Sequence, residues 1–220
     1  MANSLAARLF CSLTLLASLY SVAQNGKVEA GTALSDASVS DAVKKALEPK
    51  GYHVTLDDGS TACDVWLRDK VPAQPKKDVP GALYPQFAES TLLGVISFPQ
   101  ASTDFRGQPI KAGTYTLRYE LIPQDGDHLG VSENRDFALL IPVAADSDPN
   151  TVLKFDEMVT LSRKATGRQH PGPMSLVQAS GSAAAVSKDD AERWVFSAAL
   201  KLASGDSLPF ALIIKGTAPQ

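Results

Sequence analysis

The stretch Ile110-Lys111-Ala112-Gly113-Thr114-Tyr115-Thr116-Leu117-Arg118-Tyr119-Glu120-Leu121-Ile122 carries the cleanest pattern in the chain. Tyr115, Leu117, Tyr119 and Leu121 alternate with Thr114, Thr116, Arg118 and Glu120. A period of two is that of an extended strand, whose successive side chains point to opposite faces. The spacing predicts a strand with the tyrosines and leucines on a core and the other face in water.

The same period recurs on both sides of this stretch. Tyr52, Val54 and Leu56, then Cys63, Val65 and Leu67, flank Asp58-Gly59 as a β-hairpin. Thr91 to Phe98 is apolar at nearly every position, as in a central strand covered on both faces. Phe137 to Ile141, Met174 to Gln178, Arg193 to Leu202 and Leu208 to Lys215 complete eight expected strands, the last two joined at Ser204-Gly205-Asp206. The period lengthens in two places. Val39, Ala42, Val43, Ala46 and Leu47 predict a helix near 38–48, with Ser38 able to cap it and Pro49 and Gly51 ending it. Val152, Phe155, Met158, Val159 and Ser162 predict a second over 151–163, with Gly167 as a terminator.

Residues 24–33 read as a loose lead-in, 181–187 as weakly structured, and 68–90, with Pro72, Pro75, Pro80 and Pro85, as an exposed loop. Short strands punctuated by Gly and Pro, with only two helices, predict a mainly β fold. It is expected to be an antiparallel β-sandwich, immunoglobulin-like or jelly-roll-like, with two short helices.

The segment Arg106-Gly107-Gln108-Pro109-Ile110-Lys111-Ala112-Gly113-Thr114-Tyr115-Thr116-Leu117 resembles the G-x-x-I-x-A-G-x-Y-T-L hairpin of an uncharacterised family of exported bacterial β-sandwich proteins. The run from Tyr119 through Pro123-Gln124-Asp125-Gly126-Asp127-His128 to Arg135-Asp136-Phe137 is similar to the body of such proteins. The resemblance implies a sandwich fold and export, and it brings no activity or catalytic residue with it.

Composition agrees with a globular chain: of 220 residues, 44% are hydrophobic, 20% charged and 7% aromatic. A net charge of -3 offers no basic field for nucleic acid or an anionic membrane, so neither is expected as a partner. Residues 1–23 read as a signal peptide: Arg8 is the basic start, Leu9 to Leu19 the apolar run, and Ser21-Val22-Ala23 the small-x-small cleavage site. The expectation is one β-sandwich domain over 24–220, periplasmic or extracellular, with no membrane insertion after cleavage. Of the two cysteines only Cys63 would remain, which leaves no internal disulfide. Its place on a strand face with Val65 and Leu67 predicts a buried, inert thiol.

Catalytic signatures are missing. His53, His128 and His170 lie in no H-E-x-x-H, and there is no G-x-S-x-G, S-x-x-K, P-loop or G-x-G-x-x-G. The chemistry-rich segment is 124–136, between two expected strands. Asp125, Asp127, Glu133 and Asp136 offer hard oxygen ligands, His128 a nitrogen ligand, and Arg135 a bidentate partner for a carboxylate. The alternative is a solvated turn whose carboxylates bond local amides and pair with Arg135. His170, in Arg168-Gln169-His170-Pro171-Gly172-Pro173, either joins that loop in a metal site or sits on an extended surface connection. Trp66 is either a sugar platform or a core residue.

The expected function is a non-catalytic exported protein binding a small molecule, a glycan or an envelope protein. Two alternatives stand beside it: a metal-binding protein or metal-dependent enzyme using the 124–136 loop and His170, and a structural or interaction scaffold. No cofactor, metal or ligand is named by any motif.

Overall fold

The computed structural model describes residues 26–76, 78–124 and 134–216. Its elements run β1 (Lys27–Ala30), α1 (Asp41–Ala46), β2 (Tyr52–Thr55), β3 (Thr61–Leu67), β4 (Leu92–Phe98), β5 (Ser102–Thr103) and β6 (Pro109–Ile110). There follow β7 (Gly113–Leu121), β8 (Asp136–Pro142), a 3-10 turn at Val143–Ala145, α2 (Phe155–Thr166), β9 (Pro173–Val177), β10 (Ala185–Lys188), β11 (Trp194–Lys201) and β12 (Ser207–Lys215). Residues 1–23, expected to be a signal peptide, and residues 125–133 lie outside the described residues.

The mainly antiparallel β architecture with two helices is as expected. Ten strands hydrogen-bond into one sheet, in the order β1-β2-β3-β4-β7-β8-β9-β12-β11-β10, and β5 pairs only with β6. The two ends of the sheet, β1 and β10, touch, so the sheet curls into a nearly closed barrel. The pairing singles out neither an immunoglobulin-like nor a jelly-roll-like sandwich. β9 is the corner: Pro173, Met174 and Ser175 pair with β8, while Leu176 and Val177 pair with β12.

Inside the barrel lies one apolar cluster, including Val65, Leu67, Tyr115, Leu117, Tyr119, Ala138, Leu140, Phe196, Phe210, Leu212 and Ile214. Cys63 belongs to it as a free, buried thiol, and burial pushes its ionisation well up. β4 feeds both faces, and a slip in its register with β7 between Leu92 and Gly94 lets Leu93 and Ile96, three residues apart, share the interior one. Leu93, Ile96 and Phe98 join the interior, while Leu92 and Val95 join a second cluster outside it. A bulge of this kind switches which face later residues meet.

That outer cluster is the bed of α1. Val39, Val43 and Leu47 pack on Trp66, Leu92, Val95 and Val143. Trp66 is thus a core residue, 8% exposed, with its indole N–H donating to the Thr32 carbonyl at 2.9 Å. Gly51 lies over the indole, where a Cβ would stand 2.5 Å from Nε1. The helix is capped by Ser40, whose Oγ accepts from the Val43 N–H, and not by Ser38, which donates to Asp36.

The outer face of β7 departs from expectation. Thr116, Arg118 and Glu120 are buried; the chain from Val143 to Thr151 crosses over the first two, and Glu120 meets the Glu89 carboxyl. Arg118, 1% exposed, donates to both oxygens of Asp146 and to the carbonyls of Ser90, Asp148 and Thr151. Thr116 donates to the same carboxylate. Every guanidinium N–H direction is therefore used, which is what permits a charge at this depth. The strap delays α2 to Phe155 and leaves Val152 outside the helix, 83% exposed.

Three segments expected to be irregular contribute to the barrel. β1 forms within the lead-in by pairing with β2, and β10 forms at Ala185–Lys188 by pairing with β11. The 68–90 segment is not simply exposed: Val71, Tyr84 and Phe87 are buried. Tyr84 and Phe87 stack at 6.0 Å and meet Phe210 and Tyr119, which seats them in the main core. The Tyr84 hydroxyl donates to the Val177 carbonyl and accepts from the Ala211 N–H.

Candidate ligand-binding cleft

β8 is buried on both faces, and this builds the site. Ala138 and Leu140 face the barrel interior, whereas Phe137, Leu139 and Ile141 face out beneath α2. The helix meets them with Met158, and its small buried residues Ser162 and Ala165 lie along the same side. Ser162 Oγ accepts from the Gly172 N–H at 2.9 Å, which ties the helix to the chain entering β9. Phe155, Val159 and Arg163 are spaced i, i+4, i+8, so they form one ridge beside that contact line.

Between this ridge and the sheet is a cavity of about 440 Å³. Phe137 and Leu139 line it from β8, Ile122 and Pro123 from the chain after β7, Phe105 from the hairpin turn, and Gln169, His170, Pro171 and Pro173 from the connection to β9. Phe155, Asp156, Val159 and Arg163 line it from α2. The volume falls in the range of about 300–1,000 Å³ common for small-molecule sites, and apolar walls with a few polar groups are their usual make-up.

The polar groups are segregated. Asp156 lies in the first turn of α2, and Arg163 in the last, where Gly167 ends the helix at φ 68°. Beyond it Thr166 Oγ donates to the His170 carbonyl at 2.7 Å and accepts from the Arg168 N–H, so the backbone carrying His170 is held against the helix end. Arg163 and His170 share one end of the cleft, and their side chains make no ion pair or hydrogen bond among the described residues.

Of the residues expected to form a polar site, His170 lies at this cleft. Arg135 and Asp136 are described as well, and both hold the fold together. Asp136 is fully buried and accepts from the Leu83 and Tyr84 N–H groups and the Tyr119 hydroxyl, at 2.6, 2.9 and 2.7 Å. Burial, together with the Asp136 charge, pushes the Tyr119 phenol well up. Arg135 donates from Nε to the Ile122 carbonyl and from Nη1 to the Pro80 carbonyl, both at 3.2 Å. It thereby fixes one wall of the cleft. Asp125, Asp127, His128 and Glu133 lie outside the described residues. Among the described residues no three His, Cys, Asp or Glu side chains are grouped to hold a metal ion.

Two other polar features occur on the barrel surface. His53 Nδ1 lies 2.7 Å from Asp64 Oδ1, and its Nε2 lies 3.4 Å from Thr61 Oγ1, on the outer side of β2 and β3. A cavity of about 300 Å³ is lined by Asp36, Asp64, Trp66, Ser97 and Thr114, but Asp36 already accepts from Thr114 and Ser38. Those hydrogen bonds hold Asp36 well below the usual carboxylate range. The buried indole offers no platform for a sugar ring.

Sequence reasoning took the apolar cleft residues as core or did not single them out. The legible signal was that β8 and α2 together carry more large apolar side chains than one contact line covers. Comparisons with protein-family models, with curated proteins and with solved structures give no match to this chain.

Proposed function

We propose that this is an exported, non-catalytic β protein that binds a small, largely apolar molecule in the cleft between α2 and β8. The observation that carries the reading is the cavity itself, about 440 Å³, with Phe105, Phe137, Leu139, Phe155 and Val159 on its walls. Apolar surface left open at this scale is favourably covered, at about 25 cal/mol per Å² removed from water. Export rests on the signal-peptide pattern of residues 1–23. The two stretches of sheet on either side of the β9 corner face each other across one core, which is the sense in which we read the fold as sandwich-like.

The test uses a neutral apolar fluorophore, N-phenyl-1-naphthylamine, whose emission rises on leaving water. The mature protein is expected to enhance it saturably, and Val159→Trp, which fills the cleft, is expected to abolish the enhancement while the melting temperature stays near native. No saturable enhancement, or equal enhancement in the variant, overturns the cleft as the site.

A further inference from the structure

We propose that the ligand of this cleft is a monoanion with an apolar body, such as a free medium-chain carboxylic acid, its head on Arg163 and His170 and its tail toward Phe155. The inference rests on the cleft reading above and adds the chemical class and orientation. The cleft is asymmetric in charge. At one end Arg163 supplies a guanidinium and His170 an imidazole, neither engaged by another side chain among the described residues. At the other end stands Asp156, also a lining residue.

Asp156 and Arg163 lie seven positions apart on the helix, a rise of about 10 Å. A carboxylate at the Arg163 end therefore places its chain along Val159 and Phe155, over the Phe137 and Leu139 floor. The same geometry rejects a second negative charge at the far end, where it would meet Asp156. Arg163 also suits the last turn of a helix electrostatically, and that role alone predicts no preference among ligands. A planar guanidinium beside an apolar wall is suited to a carboxylate, because it can donate two parallel hydrogen bonds to it.

The experiment is displacement of N-phenyl-1-naphthylamine by decanoate, decan-1-ol and decanedioate, each below its aggregation concentration. Decanoate is expected to displace at about fivefold lower concentration than the alcohol or the diacid, the scale of one well-formed exposed ion pair. Arg163→Gln, at an exposed position, is expected to bring decanoate level with decanol, each displacement being scaled to the dye affinity of the same variant. If decanol and decanoate compete equally in the native protein, the anionic class is wrong while the cleft stands. If the preference for decanoate survives the double replacement Arg163→Gln, His170→Ala, the assigned head position is wrong. Failure of the dye itself to bind would instead overturn the cleft reading.

Discussion

Arg118 shows how one side chain organises its surroundings. Its five hydrogen bonds gather Asp146 and three carbonyls from two separate segments onto β7. Arg118→Met leaves Asp146 buried without its partner, and such a broken pair costs about 3–5 kcal/mol. Urea unfolding is expected to register that loss, and Arg118→Met/Asp146→Leu is expected to recover part of it. Glu120 is buried two residues on, and burial together with a hydrogen bond to the Glu89 carboxyl pushes it up from the usual 4.5 to about 8. A carboxyl raised in the folded state favours the protonated form, so its contribution is present below about pH 4.5 and is lost as pH rises toward 8. Stability is therefore expected to fall between about pH 5 and pH 8, and Glu120→Gln to flatten that slope; an unchanged slope in the variant refutes the assignment. The alternation at Thr116, Arg118 and Glu120 disclosed a strand but not its cover. The strap contacts that bury Thr116 and Arg118 come from 28 residues or more away, and no local pattern records their arrival.

Among elements, the legible ones were those whose stability is local. The hairpins about Asp58-Gly59 and Ser204-Gly205-Asp206 combine turn residues with apolar alternation, and both form where expected. α2 stops at Gly167 for a local reason too, since a left-handed cap is easiest for glycine. β1 and β10 were not legible because Lys27–Ala30 and Ala185–Lys188 carry small and charged residues, and they are strands only through their partners. Of the residues that line the candidate cleft, His170 alone was singled out by sequence as a site residue. The cleft arises from where α2 lies on β8, which hydrophobic period does not encode. α1 is only six residues long, so its cap matters out of proportion to its length. Ser40→Ala removes the bond to the Val43 N–H and is expected to cost about 1 kcal/mol, read from the denaturation midpoint. Ser38→Ala is expected to leave the helix in place, since Ser38 bonds Asp36 instead.

At the scale of the molecule, the export expectation makes its own prediction: the native protein purified from its host should begin at Gln24, by intact mass, and retention of residues 1–23 would remove the basis for that compartment. Among the described residues no helix is long and apolar enough to cross a membrane. The curled sheet also bears on how the chain reaches its final form. Tyr84 joins Val177 and Ala211, partners 93 and 127 residues away. Its hydroxyl can be satisfied only after β9 and β12 have met, and a contact of such high sequence separation is expected to form on the native side of the folding barrier. Contacts made after the barrier govern escape from the native state and leave the approach to it nearly untouched. Tyr84→Phe is therefore expected to steepen the loss of protein in time, raising the unfolding rate while the refolding rate stays close to native in stopped-flow measurements. A slowed refolding limb would place Tyr84 in the nucleus instead. On this account the Tyr84 hydroxyl, which joins two neighbouring strands from a distant segment, acts as a latch on the lifetime of the barrel.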